Sequence, residues 1–155
     1  MNNFNNIISN ISWSMETLPS TARIHDTETL DYINIPENIL NYRLPYTNTP
    51  SKIVLLTRNG ETILTTNFVG TTFNNWLNSL YEGLHLPIDN NELSNKQREN
   101  IYILISRFAD SDYRTLLVNK LENSELKPIN LLGDYKQFEG GLRRHNNLWS
   151  YRIGS

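Results

Sequence analysis

The residues with the most evident chemistry stand near the C-terminal end. Arg143, Arg144, His145 and Arg152 surround Trp149 and Tyr151, and positions 140–155 contain no acid. Guanidinium groups hold phosphates and aromatic rings stack on bases, so this mixture suits a single-stranded nucleic acid or another anionic partner. The same residues also fit a plainer use, a strand whose aromatics enter the core while its arginines stay wet or pair with acids. A third use is contact with an acidic surface on another copy. Residues 1–50 offer one, because Glu16, Asp26, Glu28, Asp31 and Glu37 outnumber Arg23 and Arg43. Opposite charges at the two ends of a chain can steer head-to-tail assembly, and can equally act within one chain.

The three histidines stand at 25, 85 and 145. His25-Asp26-Thr27 has a His-x-Thr spacing, in which an imidazole works as acid or base and a hydroxyl holds phosphate. That chemistry needs two such units facing each other. Neither His85-Leu86-Pro87 nor His145-Asn146-Asn147 supplies the second hydroxyl. Arg144-His145-Asn146-Asn147 lies near Asp134 and Glu139, but the spacing is not that of a divalent-metal nuclease. Asp110-Ser111-Asp112 reads as a helix cap. The chain has no Cys, which excludes disulfides, thiolate zinc sites and Cys nucleophiles. Neither a glycine-rich phosphate loop nor a G-x-S-x-G elbow occurs. No catalytic residue, metal ligand or cofactor is therefore assigned.

The elements that must position these residues are legible in part. Runs 52–57 and 61–68 are rich in strand formers and flank Arg58-Asn59-Gly60, whose Asn-Gly pair suits a tight hairpin turn. Phe73, Trp76, Leu77, Leu80 and Tyr81 form one apolar stripe and predict a helix over 71–82, capped by Thr71 or Thr72 and stopped at Gly83. Ser94 and Gln97 make a capping box for a second helix over 95–109 that buries Ile101, Leu104, Ile105 and Phe108. A third, over 112–123, uses Leu116, Leu117 and Leu121. Past Gly133 the pattern turns to strands. Trp149, Tyr151 and Ile153 alternate with Leu148, Ser150 and Arg152, and either Gly140-Gly141 or Asn146-Asn147 turns a hairpin. The last strand is expected to pair with the 51–68 hairpin.

Residues 1–50 hold four of the six prolines and little periodicity beyond Ile7, Ile8 and Ile11, with a short strand pattern over 30–35. They nevertheless carry Phe4, Trp13, Tyr32, Tyr42 and Tyr46, so they read as an extended segment lying over its own domain or a neighbour. The expected fold class is α+β. An antiparallel sheet, central hairpin plus C-terminal strands, packs with about three helices and follows an extended N-terminal arm. The division is 1–50 arm and 51–155 globular domain.

The chain has 155 residues, a net charge of −2 and a 38% hydrophobic share, one domain's worth and not a globally basic nucleic-acid coat protein. Twenty-three Asn stand against five Lys. Long ammonium side chains are disfavoured at interface cores, so this bias suits surfaces that become covered. No apolar run approaches the ~18 residues of a membrane span, and the N-terminus lacks the charge and apolar core of a secretory signal. No membrane association is expected, and the expected location is the cytoplasm or a virion. The leading expectation is a non-enzymatic structural or assembly protein, such as a small capsid or tail accessory subunit. Its partners would be other copies or other structural subunits, met through residues 1–50. A nucleic-acid-binding or regulatory module using residues 140–155 comes second, and a small His-dependent phosphodiesterase or nuclease third.

Overall fold

Ile11-Ser-Trp-Ser-Met15 alternates apolar with polar residues, the period of a strand with one buried face. The computed structural model forms strand β1 there, Ile11–Ser14, with Ile11, Trp13 and Met15 buried. It describes residues 7, 10–43, 52–56, 62–67, 70–133, 137–138, 142–145 and 148–152. Within 52–56, 62–67, 142–145 and 148–152, and at position 137, the description is of the backbone.

Strands β2 (Arg23–Asp26) and β3 (Asp31–Asn34) continue the sheet, followed by the short helix α1 (Glu37–Leu40). Strands β4 (Lys52–Leu56) and β5 (Thr62–Asn67) precede helices α2 (Phe73–His85), α3 (Asn95–Ser106) and α4 (Ser111–Glu122). Strands β6 (Gln137–Phe138), β7 (Leu142–His145) and β8 (Leu148–Arg152) complete the order. Among the described residues these strands form two four-stranded sheets, ordered β3-β2-β1-β6 and β5-β4-β8-β7. Strands and helices are segregated, and the fold is α+β.

The first sheet is antiparallel throughout. Its inner face aligns Ile11 opposite Ile24 and Trp13 opposite Phe138. This face packs on α2, where Phe73 stacks on Trp76 and the Trp76 ring meets Phe138 edge-on at 5.9 Å. One continuous core joins Ile11, Trp13, Met15, Ala22 and Ile24 to the buried stripes of α2, α3 and α4. The expectation of an arm is thereby corrected for residues 10–43. Their apolar side chains complete the globule's own interior, and the core draws on both sides of the boundary placed at residue 50. The physical reason is strand alternation in runs of only four or five residues, too short to stand out among prolines.

The helices keep the expected stripes with three adjustments. Helix α2 runs through Gly83 to His85, because Leu84 extends the buried stripe of Leu77 and Leu80. It stops where Pro87 forces Leu86 into an extended conformation. Helix α3 ends at Ser106, and the carbonyls of Phe108 and Ala109 accept from the Arg114 guanidinium instead. In α4, Leu117 and Leu121 are buried, while Leu116, off that stripe, is exposed. Caps appear where hydroxyls and carboxylates stand ready. Thr72 and Ser94 each take part in a reciprocal box, with Asn75 and Gln97. Asp110 accepts from the backbone of Asp112 and Tyr113.

The second sheet contains the expected hairpin, β4 against β5 antiparallel with an irregularity between Leu55 and Leu56. The Arg58-Asn59-Gly60 turn lies outside the described residues, as do Gly140-Gly141, Asn146-Asn147 and Ile153. The last strand does join this hairpin, but β8 runs parallel to β4. The sheet is therefore mixed where a fully antiparallel one was expected. A parallel pair needs a long crossover, and the chain from β5 through β7 connects the two strands.

Candidate functional site

The six basic and aromatic residues singled out near the C-terminal end fall on two adjacent strands. Arg143, Arg144 and His145 lie on β7, and Trp149, Tyr151 and Arg152 on β8. Arg144 is opposite Trp149, Arg143 opposite Ser150 and His145 opposite Leu148. On the other side of β8, Ile53 aligns with Trp149 and Leu55 with Tyr151. Strand alternation then sorts the set. Trp149 and Tyr151 share a face with Arg144, Ile53 and Leu55. Arg143, His145 and Arg152 share the opposite face with Lys52. Three of the four basic residues are thus separated by the sheet from the aromatic pair. β7 is the outermost strand of its sheet.

The histidines with described side chains are held by separate local contacts. The His25 ring meets Tyr32 edge-on at 5.5 Å. His85 stacks on Tyr81 at 4.1 Å, and its Nε2 lies 2.9 Å from the Met15 carbonyl, to which it donates. That bond ties the end of β1 to the last turn of α2. His25-Asp26-Thr27 opens a hairpin turn. The Asp26 carboxylate accepts the Thr29 hydroxyl at 2.9 Å and the Glu28 N–H at 3.3 Å, and the Leu30 N–H closes on the Asp26 carbonyl at 2.8 Å. Among the described residues no three His, Asp or Glu side chains gather as a metal ion would require.

The Thr29 hydroxyl above all, then the Glu28 N–H, holds the Asp26 carboxyl below its ordinary value of 3.8. A carboxyl depressed in the folded chain stabilises the turn above the ordinary value, and that support is lost as pH falls through the lower folded value. A carbon-detected NMR titration is expected to place the Asp26 midpoint below that of an unfolded peptide, and Thr29→Val to move it back up. Coincident folded and unfolded midpoints would contradict the turn geometry.

The feature that residue types alone did not reveal is the edge at β3. Register with β2 is unbroken from Asp31 opposite Asp26 to Asn34 opposite Arg23, and β3 is the outermost strand of the first sheet. Leu30 is 76% exposed, Tyr32 56% and Ile33 38%. Leu30 also holds a positive φ of 60° at the end of the turn, a conformation that disfavours a large side chain. The alternation over 30–35 signalled the strand, and only the pairing order shows that it is an edge.

Tyr102 and Ile103 on α3 and, separately, Leu116 on α4 are further exposed apolar residues. A shallow groove of about 400 Å³ between α3 and α4 is lined by Tyr102, Ser106, Arg114 and Val118 among others. Among the described residues no helix is long and apolar enough to cross a membrane. Compared with models of known families, with curated proteins and with solved structures, the chain finds no match.

Proposed function

We propose that the chain is a structural or assembly subunit that acts through protein–protein contacts. The observation that supports this most is the edge at β3, whose outer side pairs with no strand among the described residues, with Leu30, Tyr32 and Ile33 exposed. Soluble chains usually guard an edge strand by keeping it very short, with charged side chains, above all lysine, with proline or a bulge, or with a covering element. β3 is short and carries Asp31, but no lysine, proline or bulge falls within Asp31–Asn34, and among the described residues only β2 pairs with it. The Asn-rich, Lys-poor composition supports the same reading, because such surfaces tolerate being covered. The setting that fits a small subunit of this kind is a virion, where it would serve in the capsid or tail.

Nucleic-acid binding by β7 and β8 is the second reading. It draws on Arg144 beside Trp149, and it is weakened by the division of the other basic residues onto the opposite face. A groove that tracks a single strand needs cations and stacking rings side by side.

Sedimentation velocity of the purified chain at ~50 mM salt tests the assembly reading. The weight-average mass is expected to exceed that of the 18.1 kDa monomer and to rise with concentration. A monomer at every concentration, with retention of single-stranded oligonucleotide at the same salt, would replace this reading with the second.

A further inference from the structure

We propose that β3 and β7 are the two halves of one interface: the β3 edge of one copy receives the β7 edge of a second copy as an added strand, head to tail. This rests on the assembly reading and supplies its partner and its geometry.

Among the described residues both strands are outermost in their sheets, and each is four residues long. An edge strand leaves a row of N–H and C=O groups unpaired, a template for another chain. The two edges carry opposite charge. Residues 26–34 contain Asp26, Glu28 and Asp31 and no Lys or Arg. Residues 142–152 contain Arg143, Arg144 and Arg152 and no acid. Glu28 and Asp31 are exposed.

Of the pairings that these two edges can make with each other's copies, the distribution selects one. A two-fold contact of β3 with β3 sets acids against acids, and β7 with β7 sets arginines against arginines. Like charges placed opposite each other across strands are destabilising. Each edge is therefore guarded against its own kind and open to the other. Within one molecule the two edges belong to different sheets and are not paired with each other, so a second copy is the partner. Such a contact is heterologous. Each copy added leaves one β3 and one β7 uncovered, and growth proceeds until a ring closes or a filament forms.

Charge exchange tests the proposal on the full-length chain. One variant carries Arg143→Glu and Arg144→Glu, a second Glu28→Lys and Asp31→Lys, and a third all four substitutions. In sedimentation velocity at ~50 mM salt, each two-site variant alone is expected to self-associate roughly 100-fold more weakly than the native chain, since like-charge juxtaposition costs several kcal/mol. The four-site variant restores complementarity within one chain. An equimolar mixture of the two-site variants restores it between chains. Both are expected to recover association close to the native level, and recovery also shows that no substitution prevents folding. Raising salt to ~1 M, where the Debye length is ~3 Å, is expected to weaken native association. Two-site variants that associate as the native chain does would overturn the edge pairing and leave the assembly reading standing. Failure of both the mixture and the four-site variant to recover would also overturn the edge pairing. A native chain that stays monomeric at low salt would overturn both.

Discussion

Trp13→Ala is expected to lower the unfolding free energy by about 3–5 kcal/mol, the usual cost of removing a buried aromatic side chain. Trp13 is 2% exposed, and its neighbours come from distant parts of the chain. Phe138 lies opposite it on β6, and Tyr81 of α2 lies 6.5 Å away, ring centre to ring centre. Its Nε1 donates to the Thr17 carbonyl at 3.1 Å, so truncation also strips a polar group of its partner. A loss of this size is a large part of the ~5–15 kcal/mol that holds a domain of this length. Urea unfolding should show the midpoint falling while the slope stays constant. On a segment projecting from the body, the same substitution would change stability by less than about 0.5 kcal/mol. The size of the loss therefore decides whether the first third of the chain belongs to the core.

The second large effect concerns residues 51–155 expressed alone. The sequence marks them as the globular part, yet they are expected to lack a cooperative unfolding transition. Removing residues 1–50 takes Ile11, Trp13, Met15 and Ile24 from the core. At roughly 1.5–3 kcal/mol for each buried side chain, the loss is comparable to the whole stability of a domain. It also removes three of the four strands of the first sheet and uncovers Phe73, Trp76 and Phe138. A broad thermal transition with loss of near-ultraviolet circular dichroism would agree. A sharp transition near that of the full chain would show that residues 51–155 fold independently.

How much was legible in the residues follows from range. The capping box of Ser94 and Gln97 and the stripe of Phe73, Trp76, Leu77 and Leu80 are set within a few positions of one another, and both stand in the structure. The hairpin of β4 and β5 is equally local. The C-terminal basic and aromatic residues lie on β7 and β8, which adjoin in sequence as well as in space, but alternation sets three of the four basic residues on the face away from Trp149 and Tyr151, a division that only the register shows. What escaped depends on contacts between distant positions. The alternation of Ile11, Trp13 and Met15 is plain once seen, but four residues of it cannot be told from an extended segment until Phe138 and α2 supply the other side. The parallel course of β8 beside β4 is likewise set by the elements between them. Gly83 had the composition of a helix stop, and the burial of Leu84 overrode it. The candidate site shows the same division. Its charges can be counted in the sequence, whereas the edge position of β3 and β7 exists only in the order of the strands.

One measurement bears most directly on the assembly of this chain, amide hydrogen exchange followed as a function of protein concentration. Addition of a strand places new hydrogen bonds on both outer edges at once. Exchange in Asp31–Asn34 and Leu142–His145 should slow together as concentration rises at low salt, while exchange in α3 and α4 stays as it is. Association accompanied by protection at α3 and α4, with both strands exchanging at an unchanged rate, would place the contact on the helices and refute the pairing of the edges.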